Sequence, residues 1–129
     1  MSMDPADERR PRSVYGVGQE PDPRFSLANE RTALAWMRTA SAFIGGGIAL
    51  ISLGDVDALP RWATLLGVIA ALGGAGVAVR SALSWISVER ALRLGKPLPA
   101  PRGLFAIAIG VALVAAVLVG IAVSGLVRG

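Results

Sequence analysis

The chain has 129 residues, a formal net charge of +4, 53% hydrophobic residues, and neither cysteine nor histidine. This composition excludes disulfides, thiolate metal sites, iron–sulfur clusters and histidine-ligated haem, along with the histidine and cysteine chemistry of most nucleophilic enzymes. Residues 1–22 are rich in Asp, Glu, Arg, Pro and Gly and have almost nothing to bury, so a disordered tail is expected over 1–23. It has no apolar core of the kind a cleaved leader carries, and the first span is expected to act as its own insertion signal.

Three apolar blocks follow, at 33–53, 62–86 and 104–127. Each is about the 20 residues a helix needs to cross roughly 30 Å of hydrocarbon. They contain two charges, Arg38 and Arg80, whereas a water-soluble amphipathic helix would carry charge along its outer face. The reading is an all-α membrane protein with three transmembrane helices at about 26–53, 60–95 and 103–127 within a single 24–129 domain.

The first helix starts as a charged surface helix, with Ser26 as the expected N-cap and Glu30 near the positive end of the dipole. Gly54 to Pro60 reads as a turn, and Pro60 suits the first position of helix two. That helix extends past the membrane on the cytoplasmic side through the amphipathic "SWISVERALRLG", stopping at Gly95. "KPLPAP" is a stiff linker.

Basic residues near the spans set the orientation. Arg24, Arg31, Arg90, Arg93, Lys96 and Arg102 fall on one side. Arg61 and Arg128 fall on the other, beside Asp55 and Asp57. An excess of positive charge marks the cytoplasmic side, so the N-terminus is expected inside and the C-terminus outside. Trp36 and Trp85 near the inner ends and Trp62 near the outer end suit an aromatic belt.

On a wheel of about 100° per residue, Arg31, Ala35, Arg38, Ala42, Gly45 and Ala49 share a stripe. Gly73, Gly76, Arg80, Ser84 and Ser87 form a second on helix two. In lipid, small residues let helices approach closely, so these stripes are expected to face protein. Arg38 and Arg80 are each about six residues, or roughly 9 Å, inside the cytoplasmic end. Two readings stay open. The arginines snorkel to the headgroups or pair with Glu30 or Glu89 between helices, or they form an anion site. "GGG" at 45–47 and "GGAG" at 73–76 lie inside apolar helices and read as packing positions, not phosphate loops.

"DPRFSLANERTALAWMRTASAF" resembles the signature of the DUF202, or YidH-like, small membrane proteins, through Asn29, Glu30, Arg31, Thr32, Trp36, Arg38 and Thr39. A more distant resemblance runs through Asn29, Glu30, Arg31, Thr32 and Trp36 to the small membrane subunit of the vacuolar transporter chaperone. Arg38 belongs to the bacterial pattern. The resemblance implies three spans with a cytoplasmic N-terminus in a bacterial-type inner membrane. The distant one implies basic residues that handle polyphosphate at a multi-subunit pore.

The function expected is a non-enzymatic, oligomeric inner-membrane protein. Its cytoplasmic-side arginines would bind a polyphosphate-like polymer or lipid headgroups, with a channel or transport role among the readings. The alternative is a structural or assembly subunit of a larger membrane complex. Expected partners are membrane lipids, further copies of the chain or another membrane protein, with no nucleic acid and no cofactor.

Overall fold

The computed structural model describes residues 7–56 and 59–129, without the side chain of residue 102. The first part of the expected tail, 1–6, lies outside the described residues, as do Asp57 and Ala58 of the expected turn. Among the described residues four helices follow one another, α1 (Arg12–Tyr15), α2 (Pro23–Asp55), α3 (Arg61–Leu94) and α4 (Arg102–Arg128). α2, α3 and α4 are long and apolar enough to cross a membrane. α2 and α3, at 33 and 34 residues, are each about 50 Å long and outrun a hydrocarbon layer of roughly 30 Å.

The chain divides into two compact units, 1–99 and 100–129. The second is α4 with its short approach. It carries no charge between Arg102 and Arg128, and Ser124 donates its hydroxyl to the Ile121 carbonyl of the same helix at 2.8 Å. Each backbone and side-chain polar group satisfied within the segment removes a penalty that lipid would otherwise impose.

In the first unit α2 and α3 run antiparallel. Ala33, Ala40, Gly47 and Gly54 recur every seven residues on α2, and Gly67, Gly74 and Ser81 do so on α3. These residues build the seam. A Cβ added to Gly47 would sit 2.5 Å from the Gly67 carbonyl oxygen and 2.9 Å from the Ala71 amide nitrogen. One on Gly67 would sit 2.6 Å from the Gly47 carbonyl oxygen, and one on Gly74 would sit 2.7 Å from that of Ala40. Gly54 likewise abuts Thr64. The backbones therefore touch where side chains are missing, which maximises dispersion contact without help from the hydrophobic effect.

The seam departs from the expected stripes. Arg31, Ala35, Arg38, Ala42 and Gly45 lie nearly opposite Ala33, Ala40 and Gly47 on α2 at about 100° per residue. Nothing lies within 4 Å of a Cβ placed on Gly45, Gly73 or Gly76. The physical reason is that small residues occupy more than one face of both helices, and the arginine-free face permits the closest approach.

Two further expectations are corrected at the helix starts. α2 begins at Pro23 with Asp22 as N-cap, whose carboxylate accepts the Arg24 N–H at 2.9 Å. Pro23 fits there because its missing N–H would be unpaired in the first turn anyway. Ser26, expected to be the cap, is already inside the helix. α3 begins at Arg61, with Pro60 as the residue before it.

Residues 7–22 also depart from the unstructured tail expected of their composition. They fold against the end of α3 as a strap. Val14 in α1 is fully buried, and the strap's polar groups gather on Arg93. The Arg93 Nε donates to the Val17 carbonyl at 3.0 Å, Nη1 to Glu20 Oε2 at 3.1 Å and Nη2 to the Tyr15 carbonyl at 3.4 Å. Its guanidinium lies 5.4 Å from the centre of the Tyr15 ring, within cation–π range.

The end of α3 explains why a strap fits. Gly95 adopts φ +64°, its N–H donates to Leu92 O at 3.3 Å, and Lys96 N–H donates to Ala91 O at 2.9 Å. This glycine-terminated turn caps two of the last carbonyls. The Arg93 carbonyl takes its hydrogen bond from the strap, from Gln19 N–H at 2.9 Å. Gly18, at φ +64°, lies so close to that carbonyl that a Cβ has no room.

Candidate functional site

The polar groups at the strap end of the α2–α3 pair form two sets. The first is a buried clasp. Glu89, 4% exposed, accepts the Ser26 hydroxyl at 2.7 Å on one oxygen and the Asn29 amide at 3.2 Å on the other. Asn29 also donates to the Trp85 carbonyl at 3.1 Å. One turn further in, Ser81 donates to the Ala33 carbonyl at 3.0 Å. Both carboxylate oxygens thus accept from α2. No described side-chain polar atom is buried without a partner.

Asn29, singled out in the sequence as a signature residue, is therefore a bridge between helices. Thr32 and Thr39 donate to the Ala28 and Ala35 carbonyls of their own helix, at 3.1 and 3.4 Å. Trp36 is half-buried and Glu30 is exposed. Ser26, Trp85 and Arg93 share no motif in the sequence. The available signal for the clasp was Ser26 and Asn29 three residues apart on one face, opposite Glu89 at the matching level of an antiparallel helix.

The second set is Arg31, Arg38 and Arg80. All three are exposed, and none makes an ion pair among the described residues. The expected pairing with Glu89 is not what the fold builds, because Ser26 and Asn29 occupy that carboxylate. The expected matched depth is also revised. The seam pairs Gly47 with Gly67, Ala40 with Gly74 and Ala33 with Ser81. By that register Arg80 is level with Leu34, four residues from Arg38, or about 6 Å along the axis. Arg38 and Arg80 lie on outward faces that point apart, so one α2–α3 pair does not bring them together.

The remaining carboxylates near this end serve the strap and the helix start. Arg9 bridges Asp7 and Glu20, at 2.8 Å to each. The Arg9 hydrogen bond holds the Glu20 carboxyl below its ordinary range, against partial burial and with help from Arg93. Asp22 is held low by the Arg24 side chain and then by the Arg24 backbone N–H. Among the described residues no three carboxylates gather as a metal ion would require.

The architecture defines an all-helical protein with three membrane-length helices, the first two zipped through small residues and clasped at one end by Asn29 and Glu89. Residues 24–91, more than half the chain, match the family described as "Domain of unknown function (DUF202)", and the chain belongs to that family. It is 39% identical over 108 residues to the inner membrane protein YidH of Escherichia coli (strain K12), covering 84% of this chain and 94% of that one. It is 36% identical over 110 residues to the uncharacterized protein Rv2272 of Mycobacterium tuberculosis, covering 85% and 90% respectively. No solved structure matches the chain. The family match contains the seam and the clasp, while Arg93 and the whole strap fall outside 24–91.

Proposed function

We propose that the protein is a non-enzymatic, oligomeric component of a bacterial inner membrane that binds anions at its cytoplasmic-side arginines, Arg31, Arg38 and Arg80. The observation that carries this reading is the difference in partnering. Glu20, Asp22 and Glu89 are engaged in holding the fold, and these three arginines have no carboxylate among the described residues. Intramembrane arginine is costly unless it finds a counter-charge or reaches the interface. The anion class is phosphate, carried by a polymer or by a lipid headgroup, because the guanidinium fork matches it in two parallel hydrogen bonds.

The location draws support from the inner membrane protein YidH. An inside N-terminus and outside C-terminus rest on the distribution of basic residues. The test is equilibrium binding of inorganic polyphosphate and of phosphatidylglycerol to the purified full chain. At least one is expected to bind, to weaken in Arg38→Gln and Arg80→Gln, and to decline with salt as charge is screened. Binding of neither ligand would count against the reading.

A second reading, an assembly subunit of a larger membrane complex, draws on the open glycines. Gly45, Gly46, Gly73 and Gly76 meet nothing within 4 Å and present helix surface on which another span can lie closely. Isolation in mild detergent separates the two. A stoichiometric foreign subunit favours assembly, and a pure homo-oligomer favours the anion-binding component.

A further inference from the structure

We infer that Arg38 and Arg80 each hold the phosphate of a separate phospholipid on opposite flanks of the α2–α3 pair, and do not share one anion. This rests on the reading of these arginines as anion ligands and names the source of the phosphate as the lipid headgroups of the cytoplasmic leaflet.

Three observations carry it. The first is direction. The seam residues Ala40, Gly47, Gly67 and Gly74 fix which faces of α2 and α3 touch. Arg38 and Arg80 lie far round their helices from those faces, so their side chains leave the pair in divergent directions. The second is depth, an offset of four residues, or about 6 Å, between the two Cα positions. A single phosphate meets neither condition. A leaflet supplies phosphates at every azimuth, and long arginine stems reach the headgroup level from slightly different depths.

The third is what surrounds each guanidinium along its helix. Ala35 and Ala42 lie one turn either side of Arg38, and Gly76 and Ser84 one turn either side of Arg80. Each arginine therefore has small residues one turn away on either side, with the apolar Leu34 beside Arg38 and Leu83 beside Arg80, and its stem is free to bend toward the headgroups. Among the described residues no acidic side chain pairs with either arginine. Glu89 is occupied by Ser26 and Asn29, and Glu30 lies eight residues, or about 12 Å, from Arg38 along the axis.

The test is a double-mutant cycle on the full chain in detergent, titrated with phosphatidylglycerol and read by native mass spectrometry. Phosphatidylcholine, inorganic phosphate and inorganic polyphosphate are the other arms. Two phosphatidylglycerols are expected to bind, and Arg38→Gln and Arg80→Gln are each expected to weaken one of the two steps about fivefold, the scale for one basic residue at an anionic surface, and to leave the other unchanged. The double variant is expected to weaken both steps about fivefold each, so that only the two-lipid state falls about 25-fold. Arg38→Lys and Arg80→Lys are expected to keep part of the binding, since they retain charge but lose the fork. They also show whether any loss reflects misfolding.

A single lipid-binding step that either variant weakens, and that the double variant weakens about 25-fold, would overturn the inference, because one anion would then be shared between copies. Binding of polyphosphate or free phosphate without phosphatidylglycerol would overturn it too. In both cases the broader anion reading stands. If none of the phosphate compounds binds, both fall.

Discussion

The seam and the clasp hold the same two helices by different physics. Along the seam, Gly47, Gly67 and Gly74 work through what they lack, and the contact is backbone against backbone. At the clasp, Ser26, Asn29 and Glu89 work through directional hydrogen bonds to a buried carboxylate. The division follows the surroundings. In hydrocarbon an unmet polar group is expensive and apolar side chains gain nothing by leaving lipid, so close fit is the available force. Towards the strap end, polar groups can be used to fix register. A helix pair sealed only by fit could slide by a heptad, since its small residues repeat every seven. Asn29 reaching the carbonyl of Trp85 and the carboxylate of Glu89 allows one register alone.

The largest effect that could break this comparison is expected from Gly67→Leu. A side chain there must enter the space of the Gly47 carbonyl and the Leu50 and Ile51 side chains. Overpacking of this kind costs about 3 kcal/mol, read as a fall in resistance to denaturant in lipid or detergent. A Cβ at Gly45 meets nothing within 4 Å among the described residues, so Gly45→Leu is expected to change the same measurement by less than about 0.5 kcal/mol, while weakening any self-association through that face in crosslinking. Equal losses for the two variants would mean that the seam is misplaced.

Asn29→Ala is expected to cost about 2 kcal/mol. It removes two hydrogen bonds and leaves one oxygen of a buried carboxylate unmet. Adding Glu89→Gln in the same chain should recover part of the loss, because the stranded charge is gone. No recovery would mean that Asn29 acts through Trp85 alone.

The smallest effect concerns the strap and acid. Glu20 has its folded pKa below its unfolded one, so its contribution is fully present above the ordinary carboxylate range. It is lost as pH falls through the depressed folded value. Asp7, lowered to about 2 by Arg9, extends that window downward. The Gln19 amide, which reports the strap through its bond to Arg93, should keep its resonance down to the ordinary carboxylate range and shift only below it. Glu20 is 60% exposed, so the change is small and weakens further in salt. A shift centred near neutrality would assign strap release to some other group.

The helices were legible in the sequence because each apolar block is long and nearly free of charge. The faces were less so. Arg38 and Arg80 drew attention to the stripes on which they lie, yet Ala33, Ala40, Gly47 and Gly54 formed an equally small row, distinguished by strict seven-residue spacing matched on α3. A single helix wheel cannot choose between two small faces. The choice depends on which backbone approach is closest once both helices are present. The strap was illegible for another reason. Its composition reads as disorder, and it is held by two arginines more than 70 positions away, Arg90 on the Ser13 carbonyl and Arg93 on Tyr15, Val17 and Glu20, whose charges point to topology. Glu89 was named as a candidate partner, but for arginine. Its actual donors are uncharged, and uncharged side chains leave little mark on a charge-based reading.

The strap also has a place in time. Its receptor, the Arg93 end of α3, is synthesised 73 residues after Glu20. At the usual pace of translation this is roughly 4–15 s later. During that interval residues 7–22 have nothing to bind. They close only on a hairpin whose second long helix has been made through to its capped end. Docking of the strap therefore marks the completion of the α2–α3 hairpin, and a chain truncated before Arg93 would leave its own beginning loose.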